Sequence, residues 1–282
     1  MRKFISILLL VFVLLQLTGC SSGPLIRADK SMFDRNTVKN IALIGTGTIF
    51  WPRRGNKNAY IGLRSSKTRI EKVLPLFKKH LEDKGYIVTF AEPIAAAFSP
   101  KSYTERTMFD NYGEEGDGSK KTELSGDEPG FKYPLVNKSL QNAGIAITFE
   151  LSDALSNRAF TQFQPSPQHI NTILTNTNSD TVCQVRATGS RFTAGRGVGV
   201  LFLSLFGGNI NNATESGSLY FICSDNKGKV LWQNSQRVRE DPMLPELEQI
   251  NMVLQNFPKV GKPLPKNCEA NEKLAQYYSC GN

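Results

Sequence analysis

The chain has 282 residues, of which 40% are hydrophobic and 21% charged, with 34 basic against 25 acidic side chains and a formal net charge of +9. That composition is ordinary for a globular protein, the length suits one large domain, and no internal repeat points to a solenoid. With only two histidines, His80 and His169, neither in an H-E-x-x-H pattern, and no G-x-S-x-G, metalloprotease and hydrolase-elbow chemistry lack their residues.

Arg2 and Lys3 precede an apolar run, Phe4 to Leu15, broken only by Ser6, which is the layout of a secretory signal peptide over residues 1–19. The run is too short to cross a bilayer, which takes ~20 apolar residues. Leu17-Thr18-Gly19-Cys20 then resembles the lipobox of bacterial lipoproteins. The resemblance implies lipid on the Cys20 thiol, cleavage before it, and, because Ser21 rather than Asp follows, forwarding to the outer membrane with the domain on the periplasmic side. Several acyl chains at ~0.8 kcal/mol per buried methylene make a lasting anchor. Residues 20–36 are expected to form the lipidated tether, since Ser21 to Lys30 is polar and contains Pro24.

A single domain is expected over residues 37–258. Val38 to Ile44 reads as its first strand, running into Gly45-Thr46-Gly47. A dinucleotide fingerprint needs a third glycine where Phe50 stands, and Gly55-Asn56-Lys57 does not make a Walker-type loop, so the two glycines are expected to shape a turn at the strand end. The periplasm also lacks ATP. A helix follows, with Ser65 or Ser66 as N-cap and Ile70, Val73, Leu74, Phe77 and Leu81 on one face; Pro75 should kink it or mark a late start. Gly85 ends it, and Tyr86 to Ala91 is expected as the next strand, stopped by Glu92-Pro93.

Residues 99–131 show no period and are dominated by Gly, Ser, Asp and Glu, so a loop or disordered insertion is expected there. A helix is expected over Pro134 to Asn142, a strand over Gly144 to Leu151, and a Pro/Gln-rich loop around His169. Thr181 to Thr188 reads as a strand with Cys183, Val185 and Ala187 on one face. The stretch Gly195 to Asn209, "GRGVGVLFLSLFGGN", is apolar, but Leu201-Phe202-Leu203 leaves no polar face, so a buried strand or short core helix is expected over a lipid-facing hairpin. Two strands around Asp225-Asn226-Lys227-Gly228 form a hairpin. Asp241 caps a closing helix whose inner face is Leu247, Ile250, Val253, Leu254 and Phe257, and residues 259–282 are a tail.

The fold class is therefore α/β, a mixed sheet with helices packed on its faces, a β-α-β start, and a hairpin followed by a closing helix. The succession "KNIALI", "VLPLFKKHLEDKGYIV", "LVNKSLQNAGIAITFEL" and "LYFICSDNKGKVLWQ" resembles envelope lipoproteins related to the curli-secretion lipoprotein, the lipoprotein activators of penicillin-binding proteins and the TolB amino-terminal domain. Its motifs are structural, so no functional residue carries over from it.

Without Arg2 and Lys3, 32 basic residues face 25 acidic ones, a net charge of about +7. A run of basic residues from Arg53 to Lys84 makes Arg53, Arg54, Lys57, Lys67, Lys78 and Lys79 candidates for contact with an anionic envelope component, against the plainer reading of a solvated helix face. Nucleic acid is excluded as a partner by the compartment. Beyond Cys20, four cysteines remain, and three pairings are open. Cys268 and Cys280 bracket a short tail segment that a disulfide would clip, whereas Cys183 and Cys223 can be bridged only if their strands are neighbours. No catalytic set, metal site or cofactor is expected. The function these features imply is a non-enzymatic, lipid-anchored envelope protein that assists assembly of an envelope complex through a protein or anionic partner. The alternatives are an oligomeric curli-secretion-like pore subunit and an envelope enzyme with a spatially assembled site.

Overall fold

A computed structural model describes residues 27–29, 38–52, 59–98, 107–109, 122–123, 128–157, 159–190, 216–238, 247–254, 256–262, 268–270 and 277–280. The fold is α/β, a mixed sheet with helices on both faces. Its spine is Asn40–Pro52 (β2), buried on both sides from Ile41 to Ile49 as in the middle of a parallel sheet. Along one edge β2 pairs in parallel with Thr181–Ser190 (β8), from Ile41↔Thr181 to Phe50↔Ser190. Its other edge is shared between Ile87–Ala96 (β4), parallel, and Ala59–Gly62 (β3), antiparallel.

The expected β-α-β start is β2, the helix Leu63–Asp83 (α1) and β4, with short β3 interposed. Beyond β8 the sheet continues through Ser216–Ser224 (β9), Val230–Val238 (β10), Arg27–Asp29 (β1), Tyr277–Cys280 (β12) and Cys268–Ala270 (β11), all antiparallel. Ile41, Leu43, Cys183, Val185, Phe221 and Trp232 pack against α1 and Leu247–Val253 (α4). On the other face, Ala42, Ile44, Val182, Ile222 and Val230 pack against Lys138–Ser156 (α2) and Pro167–Thr177 (α3).

Gly45 and Gly47 do not form a turn. Both lie inside β2, paired on two sides, where α1 crosses with its backbone against Gly47 and its Ile70 and Leu74 side chains against Gly45. A Cβ on Gly47 would stand 2.3 Å from the Ser66 carbonyl oxygen, and one on Gly45 would stand 2.9 Å from Ile70 and Leu74. Neither Ser65 nor Ser66 caps the helix. Gly62 is the N-cap, and the buried Ser66 hydroxyl bridges strand and helix instead: it accepts from the Ile49 N–H at 2.9 Å and donates to the Gly62 carbonyl at 2.6 Å. Pro75 neither starts nor interrupts α1; it is exposed on the outer side, where its missing N–H costs least.

Several other expectations are corrected. The strand β4 runs through Pro93 to Ala96, since Pro93 falls where the register with β2 shifts, a position at which a ladder donor is dispensable. The helix and strand expected over Pro134–Leu151 are the one helix α2. Its buried positions Leu140, Gly144, Ile147, Leu151 recur at three and four, and the Asn137 side chain caps it by accepting the Leu140 N–H at 3.0 Å. His169 lies in α3 rather than a loop; Pro167 opens that helix, and Ile170, Ile173, Leu174 and Thr177 form its buried stripe.

Within 99–131, Thr107–Phe109 (β5) pairs with β3, Thr122–Glu123 (β6) pairs with β5, and Phe131–Lys132 (β7) pairs with β4. Those pieces of the insertion are sheet, not loop. Leu247 is 57% exposed rather than an inner-face residue, while Ile250, Val253, Leu254 and Phe257 are buried as expected. Asp241 and the stretch Gly195 to Asn209 lie outside the described residues.

The hairpin turn follows expectation. Asp225 Oδ1 accepts the N–H groups of Lys227 and Lys229, each at 2.9 Å, and Gly228 takes a left-handed φ of +72° with the Pro165 carbonyl 2.3 Å from where a Cβ would stand. Because the crossing of α1 over β2 admits no side chain, Gly47→Val should lower stability by more than the ~1–3 kcal/mol usual for overpacking, read as a drop in the urea midpoint. The control Ser235→Ala on β10 should shift it far less.

Candidate functional site

Among the described residues, the basic candidates Lys67, Lys78 and Lys79 do not share one patch. Arg53, Arg54 and Lys57 lie outside the described residues, in the connection between the paired ends Pro52 and Ala59. Lys67 Nζ sits 3.9 Å over the Phe131 ring, an attachment of the returning chain to α1. Lys78 stands 3.9 Å from Glu82 on the exposed helix surface, a pair of little energetic weight, and Lys79 is exposed. Eleven residues of helix put Lys78 roughly 16 Å along the axis from Lys67. His80 is half-buried, and burial together with Lys84 lowers its pKa. His169 Nδ1 lies 3.0 Å from Glu150 Oε1, while Glu150 Oε2 accepts the Ser166 N–H at 3.0 Å, so this carboxylate clamps the start of α3 to α2.

A buried polar constellation among the described residues was not anticipated from the sequence. On β8 the residues alternating with Cys183, Val185 and Ala187 are Gln184 and Arg186, and both point at α2. Gln184 Nε2 donates to Thr148 Oγ1 at 2.9 Å, and Arg186 Nη1 donates to Ser152 Oγ. Each hydroxyl passes the bond on, Thr148 to the Gly144 carbonyl and Ser152 to the Thr148 carbonyl, both at 2.8 Å. The match has a simple geometric origin: four residues of helix rise about 6 Å, and two residues of strand advance about 6.6 Å. Two helix hydroxyls one turn apart therefore meet two strand side chains on one face.

Arg186 is a buried cation, 5% exposed. Among the described residues no carboxylate pairs with it, and its Nε finds no acceptor; Gln184 Oε1 and Thr46 Oγ1 nearby are likewise without a donor. Burial pulls the guanidinium pKa down to about 10, with Tyr220 on the neighbouring strand acting the other way. The group stays charged at neutral pH, and its role is to hold α2 to the sheet. The alternation that puts Arg186 opposite Cys183's face was legible; the helix it meets was not, because Gly144 to Leu151 looks like a strand.

Cys183 and Cys223 are cross-strand partners on β8 and β9 and form a disulfide, with Cα atoms 4.0 Å apart and both residues fully buried. The condition set by sequence, that the two strands be neighbours, is met. Spanning 40 residues, the bond contributes about 4 kcal/mol in the chain-entropy model. Cys268 and Cys280 occupy the same relation in the backbone, directly opposite each other on β11 and β12.

Among the described residues no three potential metal ligands cluster, and no helix is long and apolar enough to cross a membrane. No family model, curated protein or solved structure matches the chain.

Two outcomes test these assignments. Replacing the buried charge by Arg186→Met should be neutral or raise stability by ~1–4 kcal/mol, whereas Ser152→Ala, which strips the cation of its acceptor, should lower it by ~1–3 kcal/mol; guanidinium unfolding of both variants decides. Equal losses in the two would show that the guanidinium contributes net stability. Peptide mapping of unreduced protein should recover Cys183 joined to Cys223 and Cys268 joined to Cys280. Alkylatable thiols at both tail cysteines would show that the opposed backbone positions are not bridged.

Proposed function

We propose that this chain is a non-enzymatic envelope protein, anchored by lipid on Cys20 to the periplasmic side of the outer membrane and serving as an assembly or accessory factor there. The observation that carries the reading is the Cys183–Cys223 disulfide, closed in the middle of the sheet and fully buried. Bonds of this kind persist in oxidising compartments and are rare where thiols are kept reduced. An exported chain is what a positive start, a short apolar run and Leu17-Thr18-Gly19-Cys20 describe.

The polar seam supports a scaffold rather than a reaction centre: the bonds from Gln184 Nε2 and Arg186 Nη1 end on Thr148 and Ser152, whose hydroxyls turn back to carbonyls of α2, so they tie β8 to that helix. A partner would be an envelope protein or an anionic envelope component.

The test is metabolic labelling with a fatty acid in cells expressing the wild type and Cys20→Ala. Label should enter the wild type and sediment with outer membranes, and it should be absent from the variant, which remains unprocessed or free. Undiminished label in Cys20→Ala would refute the anchor. Wild type that carries label but sediments with the inner membrane would refute the location alone.

A further inference from the structure

We propose that the carboxyl ends of β2 and β8 form the membrane-facing end of the domain, held against the bilayer surface by the way β1 enters the sheet. The inference rests on the lipid attachment at Cys20 proposed above. Its starting point is the correction to the tether: Arg27–Asp29, expected to lie in it, is a strand inserted between β10 and β12.

The direction of that strand follows from the pairings. β9 is antiparallel to both β8 and β10, so β10 runs with β8 and β2. β1 is antiparallel to β10, with Arg27 opposite Gln233 and Ala28 opposite Trp232. The amino end of β1, Arg27, is therefore directed toward the end of the sheet that carries Val238, Ser190 and Pro52. The strand is fixed there by more than its backbone: Asp29 is buried and its carboxylate lies 2.5 Å from Lys229 Nζ at the base of the hairpin.

The reach is short. Seven Cα steps separate Cys20 from Arg27, and however they run they span at most roughly 24 Å. The opposite end of the domain, at the Asn226 turn, lies seven residues below Gln233, roughly 23 Å away along the strand. For that end to face the bilayer, the tether would have to reverse direction and be almost fully extended. The end bearing Arg237 lies only four residues beyond Gln233, about 13 Å, on the course the chain already takes.

This orders the described basic residues of α1. The helix runs against β2, as the contact of Ser66 with Gly47 and Ile49 requires, so its first turn, with exposed Arg64, belongs to the bilayer end, as do the paired residues Pro52 and Ala59. Lys78 and Lys79 lie toward the far end. The bilayer surface is thus the partner of one end, and the far end, with the Asn226 turn, is turned to the periplasm.

Energy transfer measures the orientation directly. The lipidated protein is reconstituted in vesicles of phosphatidylethanolamine and phosphatidylglycerol carrying an acceptor dye on the headgroups, with a fluorescent amino acid at Arg237 or, in a second preparation, at Asn226, both exposed. Transfer should be several-fold stronger from position 237, and a long Gly/Ser segment inserted after Gly23 should abolish the difference. Equal or reversed transfer in protein that floats with the vesicles would overturn the orientation while leaving the anchor intact. A difference that survives the longer tether would overturn the tether as its cause, and protein that does not float would remove both the anchor and this proposal.

Discussion

The structure depends on one contact, the passage of α1 across β2 without side chains between them. At Gly47 the helix backbone comes so close that the Ser66 carbonyl occupies the space of a Cβ, and the Ser66 hydroxyl replaces the missing side chain with a hydrogen bond to the Ile49 N–H. Close approach lets Ile70, Leu74 and Phe77 reach past β2 to the residues of β8 and β9, so that Phe77 stacks on Phe221 with ring centroids 5.3 Å apart. From there the aromatic contacts continue through Phe257 to Trp232 and Tyr86. Were the helix lifted by a side chain at position 47, the whole of that face would lose its van der Waals contacts together, because a packed interior does not close gaps by small continuous adjustment.

The two faces of the sheet are held differently. On the α1 face the apolar cluster is joined by the Cys183–Cys223 bond, and the chain following α4 is fastened to the end of α1: Lys84 Nζ donates to the Phe257 carbonyl at 2.8 Å and Tyr86 Oη to the Pro258 carbonyl at 3.1 Å. Burial lowers the Lys84 pKa and raises that of Tyr86, both of which disfavour their ionised forms. On the α2 face the apolar cluster is crossed by a polar seam whose arginine has no carboxylate among the described residues. Such a seam adds little net stability, since desolvation offsets most of the attraction, but it fixes the rotation and height of α2 against β8 through two bonds of defined spacing.

The amino-terminal strand joins these internal constraints to the proposed anchor. A tether that ended in a loop would let the domain turn freely above a membrane. One that ends between β10 and β12 would reach the domain from a set direction, because pairing on both sides of Ala28 fixes that strand in the sheet. The carboxyl-terminal strands serve the same end, since β12 covers the edge of β1 that β10 leaves open.

Sequence by itself determined whatever depends on local repetition and backbone chemistry. The alternation of Cys183, Val185 and Ala187, the helical stripe from Ile70 to Leu81, and the turn from Asp225 to Gly228 were all legible, because each is written within a dozen residues and answers to one period or one φ angle. The class of fold followed from their order. What failed were readings in which a residue's meaning lies across the sheet. Gly45 and Gly47 looked like a turn because nothing nearby in sequence announces a helix at contact distance. Gly144 to Leu151 looked like a strand because its apolar run outweighed the helical spacing of its buried residues. Pro93 looked like a stop because the register shift that tolerates it exists only in the pairing of β4 with β2. Arg186 and Ser152, 34 residues apart, carried no joint signal at all. Tertiary structure decided these, for a physical reason: burial and hydrogen-bond satisfaction are settled by which surfaces meet, and a chain records its own periodicity more plainly than it records its distant neighbours.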